Sequence, residues 1–343
     1  MPAKGDAKKD NKKQMKPKEF WEDLCKESKA AAKEFGFRDR NPILSMFEDV
    51  IEEKKDDDFP NQIIVPYEIE ACLVKVLCKS VSNVCTAGQY NDLRCLRFWN
   101  CAFGDIGVKY VAEGLLVLPS VTKLEIIDCL VGPQGAGYMA ETLRKISSCN
   151  LKLLKLDHNA IGSQGAALLA KGISYNSKLT FLSLNYCSID KFGGDALSVM
   201  LKSPEVQVKT LNLEGNDLGS AGMVDFAVAC MSNSSLNKLN ISLNNFGGEV
   251  PVMQALCSAF RSNPNLTDIN MDGNLIGDDG LKFLIENLHD CKHIACLDVT
   301  PFVNPQHLTM LGDWLVSNAS SGDKSKKGSK KGGKKAGGKK KKK

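Results

Sequence analysis

The chain contains no run of about 18 apolar residues, so no membrane-spanning helix is expected. Its opening residues, MPAKGDAKKDNKKQMKPKEF, lack the apolar core of a secretory signal. Position 2 is not glycine and the last residue is lysine, so no simple lipid-anchor motif is read. Thirteen cysteines are present, yet none form a CxxC pair, and several stand where small apolar residues belong. That usage fits reduced core thiols and an expected soluble, cytoplasmic setting. The sequons at Asn233, Asn240, Asn265 and Asn318 then read as chance matches.

Catalytic constellations are missing too. His289 and His293 are four apart, but no glutamate makes them an H-E-x-x-H pair, and they read as a solvated helix end. The stretch from Gly328 to Lys335 approaches a phosphate-binding loop but lacks the terminal Ser or Thr and a preceding strand. His158 has no visible nucleophile partner and reads as a surface histidine. Cys95 and Cys296 are expected on an exposed face, without an arrangement that lowers a thiol pKa. No catalytic, cofactor-binding or metal-binding residue is assigned, and a non-enzyme is expected.

Charge is unevenly spread. Residues 321–343 carry 12 Lys against one Asp, and residues 1–18 carry seven Lys against two Asp. Subtracting these two basic arms from the overall +5 leaves the body, 19–320, at −11.

What the sequence does have is a repeat. The pattern L-x-x-L-x-L-x-x-N/C-x-L-G-x-x-G starts at Leu93, Val121, Leu151, Leu179, Val208, Leu236 and Leu266, with an eighth start at Ile294 and steps of 28 to 30 residues. Its ninth position reads Cys101, Cys129, Asn159, Cys187, Asn216, Asn244 and Asn274. Glycine holds the twelfth position in every complete unit but the one with Asp190, and the fifteenth in every one but that with Val250. Each unit reads as a strand, a turn and a helix that cannot bury its apolar face alone, so the units must stack.

This pattern resembles the ribonuclease-inhibitor subtype of leucine-rich repeats. The same subtype occurs in Ran GTPase-activating proteins, NOD-like receptors and flagellar dynein-regulatory-complex proteins. The resemblance implies an α/β solenoid, a horseshoe with parallel strands on the concave face and helices on the convex face. The domains are then a disordered basic arm (1–18), a helical N-terminal segment and cap (19–92), repeats (93–300), a C-terminal cap (301–320) and a disordered Lys-rich tail (321–343). Helices are expected at 19–36, from about 42 to 55, at 66–85 and at 305–318.

On the strands, the third, fifth and seventh positions should face outward. The first four units there offer Trp99, Ile127, Leu153 and Phe181 beside Arg97, Lys123 and Lys155, a candidate partner-binding patch. The N-terminal segment folding over that patch is the competing expectation. In the tail, Lys326, Lys327, Lys330, Lys331, Lys334, Lys335 and Lys339, Lys340, Lys341, Lys342, Lys343 form a candidate tether to an acidic polymer. The tail has no arginine, so bidentate reading of bases or phosphates is not expected. The reading is a protein-interaction scaffold, cytoskeletal or axonemal, tethered to microtubules, in the cytoplasm or cilium. The alternatives are a regulator of a GTPase or other enzyme and, ranked lower, a nucleic-acid binder.

Overall fold

Each of the repeated leucine patterns forms a strand, and each strand pairs in parallel with the next. The structure, a computed structural model, describes residues 15–37, 41–53, 59–88 and 90–328, with side chains up to 319. The chain opens with α1 (Pro17–Glu34), α2 (Pro42–Glu53), β1 (Gln62–Val65) and α3 (Ala71–Gly88). Strand and helix then alternate: β2 (Cys95–Trp99), α4 (Gly104–Leu115), β3 (Lys123–Ile127), α5 (Pro133–Arg144), β4 (Leu153–Lys155) and α6 (Gly162–Ile173). The series continues through β5 (Phe181–Ser183), α7 (Lys191–Leu201), β6 (Thr210–Asn212), α8 (Gly219–Ser232), β7 (Lys238–Asn240) and α9 (Val250–Ser262). It closes with β8 (Asp268–Asn270), α10 (Gly277–Leu288), β9 (Cys296–Asp298) and α11 (Pro305–Gly328).

The strands lie in one sheet in chain order, β1 to β9. Register is kept unit by unit: Leu96 pairs with Leu124, then Leu154, Leu182, Leu211, Leu239, Ile269 and Leu297. These residues point between sheet and helices and are at most 3% exposed, as are the sixth-position residues Phe98, Ile126, Leu156, Leu184, Leu213, Ile241 and Met271. Burying one such side chain stabilises the fold by roughly 1.5–3 kcal/mol. Successive helices pack on one another along the convex side. That packing demands small residues where backbones approach. A Cβ on Gly172 of α6 would lie 2.6 Å from the Ala140 carbonyl oxygen of α5.

Two buried asparagine ladders tie the units together. Asn159 donates through Nδ2 to the carbonyls of Ile126 (2.8 Å) and Leu156 (2.9 Å), and its Oδ1 accepts the N–H groups of Cys129 and Val131, both at 3.0 Å. Asn216 repeats this with Leu184, Leu213, Cys187 and Ile189. Where cysteine holds the position it serves only the carbonyl side: Cys187 Sγ donates toward Leu156 at 3.2 Å. A second ladder runs along the helix ends: Asn176, Asn233, Asn263 and Asn318 donate to the carbonyls of Leu143, Leu201, Cys230 and Cys291. Asn233 and Asn318, read from the sequence only as chance sequons, are thus structural, at 5% and 4% exposure.

The break in the glycine column has a physical reason. Asp190 is the N-cap of α7, its carboxylate accepting from the N–H groups of Phe192 (2.8 Å) and Gly193 (3.4 Å) and bonded to the Ser163 hydroxyl. Those bonds, the Ser163 one foremost, hold its carboxyl below the usual carboxylate range.

At the N-terminal end the structure adds a strand to the expected helices. β1 pairs with β2 from Gln62↔Cys95 to Val65↔Phe98. α1 packs against α2 and α3, burying Phe20, Trp21 and Leu24, with Phe20 stacked on Tyr90 at 4.1 Å. The helix expected at 66–85 runs instead over Ala71–Gly88, because 62–65 is drawn into the sheet. At the other end the α11 backbone continues to Gly328, past residue 320, where the sequence reading ended the cap. Among the described residues no helix is long and apolar enough to cross a membrane.

Candidate functional site

Strand alternation turns three columns of side chains to the concave face. The first runs Cys95, Lys123, Leu153, Phe181, Thr210, Lys238, Asp268, Cys296; the second runs Arg97, Glu125, Lys155, Ser183, Asn212, Asn240, Asn270, Asp298. In the third, Trp99 pairs with Ile127, and Asp157, Asn185, Glu214, Ser242 and Asp272 hold the equivalent places in later repeats.

The structure brings the predicted patch residues together on adjacent strands β2 to β5. Trp99 is 37% exposed, Lys123 is exposed, and Arg97, Ile127, Leu153, Lys155 and Phe181 are half-buried. Arg97 Nε lies 3.3 Å from Glu125 Oε1, and its guanidinium sits 5.8 Å from the Trp99 ring. Lys155 Nζ stands 5.8 Å from the Phe181 ring. Cations over ring faces, with aliphatic side chains between them, make an amphipathic surface whose charge is partly held in place. Two expectations need correction. Cys95, on β2 between Gln62 of β1 and Lys123 of β3, is buried at 4%, whereas Cys296 is half-buried. Arg97 is matched by Glu125, itself only 6% exposed, whereas among the described residues Lys123 and Lys155 have no carboxylate within 4.0 Å.

Toward the C-terminal half the face is polar. The Asp157 carboxylate accepts the Asn185 N–H at 2.9 Å, and the Asn185 Oδ1 accepts the Glu214 N–H at 2.9 Å. Glu214 in turn accepts from Asn240 Nδ2 (3.0 Å) and from the Tyr186 hydroxyl (2.9 Å). His158 is exposed but not alone: its ring stacks on Tyr186 with centroids 4.7 Å apart and planes at 11°. Sequence reasoning missed this pair, since the eighth repeat position carries no consensus residue.

His289 and His293 do not converge. His289 faces the Glu286 carbonyl and Asp290, while His293 Nε2 meets the Phe260 carbonyl at 2.9 Å. Among the described residues no group of three or more His, Cys, Asp or Glu is placed to hold a metal ion. Lys330 to Lys343 of the candidate tether, and most of the loop-like Gly328–Lys335 stretch, lie outside the described residues. So do the side chains of Lys326 and Lys327.

The thiols give a direct check on the packing. Burial pushes Cys78, Cys85, Cys187, Cys230 and Cys257 up to about 12. Cys101 is held below its ordinary value by a bond to Cys129, but both are fully buried. Thiolate is the reactive form, and although burial also raises Cys72 and Cys296, only these two are partly accessible, so below pH 9 the native chain should react with Ellman's reagent at these two alone. All thirteen should react in guanidinium. Rapid native reaction of more than two would contradict the packing.

Comparison with known proteins agrees with this geometry. A leucine-rich repeat family model matches residues 147–170, 208–227, 232–249 and 262–284. Ribonuclease inhibitor of Sus scrofa is 27% identical over 213 residues, which cover 62% of this chain and 45% of that one. NACHT, LRR and PYD domains-containing protein 3 of Homo sapiens is 29% identical over 202 residues, covering 50% of this chain and 19% of that one. Among solved structures, leiomodin-1 actin-binding site 2 is 12% identical with a TM-score of 0.38, covering 57% of this chain and 95% of that one. The chain spans half or less of the length of the two curated relatives. The parallel sheet and its helices form a leucine-rich repeat solenoid, and the sequence is similar to ribonuclease-inhibitor-like proteins built of such repeats.

Proposed function

We propose that the chain is a non-enzymatic scaffold that seats a protein partner on its concave face, at Arg97, Trp99, Lys123, Ile127, Leu153, Lys155 and Phe181. The observation that carries this is the 37% exposure of Trp99 on the sheet face, stacked beside Arg97 and next to half-buried Ile127. Large aromatics flanked by arginine are the usual centres of interface energy. α1 and α2 pack on the α3 end of the stack rather than over Trp99, which favours an external partner over intramolecular cover.

The Lys-rich tail, Lys326 to Lys343, tethers this scaffold to an acidic polymer, and we favour microtubules, in a cytoskeletal or axonemal setting. The charge contrast supports this: the body carries −11, the N-terminal arm +5 and the tail +11, so the tail is the strongest attractor of a polyanion. The test is co-sedimentation with microtubules of the full chain, of 1–320, and of microtubules stripped of their acidic tails. Binding should require both the Lys tail and the tubulin tails. It should weaken steeply between 50 and 200 mM salt, because exposed charges are screened beyond roughly 8–10 Å. Equal binding by 1–320 would remove the tether.

A second reading, a regulator of another enzyme, draws on the name of the ribonuclease inhibitors this chain resembles at 27% identity. Inhibition of a ribonuclease, or acceleration of GTP hydrolysis by a small GTPase, is its readout.

A further inference from the structure

The eighth residue of every complete repeat adopts a left-handed backbone. Its φ is 54° at Asn100, 53° at Asp128, 58° at His158, 53° at Tyr186, 67° at Gly215, 53° at Leu243 and 69° at Gly273. The reason is local: at this point the strand leaves the sheet. The N–H of the residue reaches the next repeat's seventh-position carbonyl, as in His158 to Asn185 (2.8 Å) and Tyr186 to Glu214 (2.7 Å). Glycine meets this demand without strain, yet five of these seven positions carry side chains. Two of the five, His158 and Tyr186, are aromatic, adjacent and stacked, and Tyr186 remains 40% exposed.

Two carboxylates stand near the stack. Asp157 and Glu214 stand on either side of Asn185, fixed by its N–H and its side-chain oxygen. The Tyr186 hydroxyl donates to Glu214, and that bond raises the phenol's pKa. Among the described residues neither carboxylate has a salt-bridge partner within 4.0 Å. A further group lacks a partner on the same strand region: the Ser183 hydroxyl, in a residue 1% exposed on the concave side between Phe181 and Asn185, makes no hydrogen bond.

We propose that this rim is a recognition site for an arginine side chain on an extended segment of a protein partner. The guanidinium lies at the edge of the His158–Tyr186 stack and donates to the Glu214 carboxylate beside Tyr186, while Asp157, two strands away, adds attraction at longer range. Arginine fits better than lysine, because a planar fork both stacks on rings and donates in parallel to the two oxygens of a carboxylate. Spacing follows from the strands. Leu153 and Asp157 are four residues apart on one unit, about 13 Å along an extended chain, so the partner's arginine lies about four residues from the apolar side chain seated near Leu153 and Phe181. This rests on the concave face taking a protein.

The test uses the full chain with carbon-13-labelled His and Tyr rings, titrated with Nα-acetyl-arginine methylamide at constant ionic strength. The ring signals of His158 and Tyr186 should shift in a saturable way, while those of His289, His293 and His307 stay still. The lysine analogue should bind about fivefold more weakly and the uncharged citrulline analogue should not bind. Glu214→Gln should weaken arginine binding about fivefold with an unchanged melting temperature, and Trp99→Ala should leave it as in the wild type. Unmoved rings, equal binding of citrulline, or an inert Glu214→Gln would overturn the proposal. The apolar patch is judged apart: a protein partner lost in Trp99→Ala while arginine binding persists upholds the patch, and retention of that partner sinks the patch but not the rim.

Discussion

Replacing Asn216 with alanine is expected to lower the unfolding free energy by about 3–5 kcal/mol in urea denaturation. Asn216 is 5% exposed and serves four backbone groups in two repeats: the carbonyls of Leu184 and Leu213 and the N–H groups of Cys187 and Ile189. Alanine strands all four away from water, and each stranded group costs about 1–3 kcal/mol. Relaxation and entry of water keep the total below the sum. Because each repeat is held chiefly by its neighbours, a break in the middle unit also uncouples the two halves. The transition should broaden as well as move. Asn216→Cys should lose about half as much, since cysteine at this position in other repeats still serves the carbonyl side, as Cys187 does for Leu156. Loss of less than about 1 kcal/mol in Asn216→Ala would show that the ladder is not what couples the repeats.

The second large effect concerns binding. Trp99→Ala combined with Phe181→Ala should reduce affinity for the concave-face partner by at least about a hundredfold, while the midpoint of unfolding changes little. Both rings lie on the outward face and sit under cations, Arg97 and Lys155, each 5.8 Å away, so their loss removes aromatic area and unseats both charges. Phe192, on α7 and 75% exposed, is the control: Phe192→Ala removes a still more exposed ring from outside the patch and should leave affinity unchanged. Isothermal calorimetry or surface binding of each variant decides the matter. Equal losses in the double variant and the control would dissolve the patch.

The solenoid was legible because its signals are periodic. The alternation at Leu211 and Leu213, the asparagine or cysteine three residues later and the glycines recur in register, so an error in one unit is corrected by its neighbours. β1 was not legible, since 62–65 stands outside the period and lacks the asparagine that marks a unit. Its partner, β2, is what makes QIIV a strand. The same alternation puts the patch residues on adjacent strands, but alternation does not give exposure: Cys95 and Glu125 hold outward positions and are 4% and 6% exposed. The His158–Tyr186 stack was hidden for a different reason. What its column shares is a backbone angle, and a left-handed φ leaves no residue type in common among Asn100, Asp128, His158, Tyr186, Gly215, Leu243 and Gly273. The second asparagine ladder was masked by a coincidence with glycosylation sequons at Asn233 and Asn318.

The concave-face site is tested most directly by placing a photoreactive benzoyl-phenylalanine at Phe181, and in a second protein at Phe192, and irradiating each full-length chain in an extract of cells that express it. Cross-linking from position 181 to one discrete protein, competed by unlabelled wild-type chain but not by the Trp99→Ala, Phe181→Ala variant, is the predicted result. The same protein cross-linked from position 192, or no competed product from position 181, would contradict a partner site on the concave sheet.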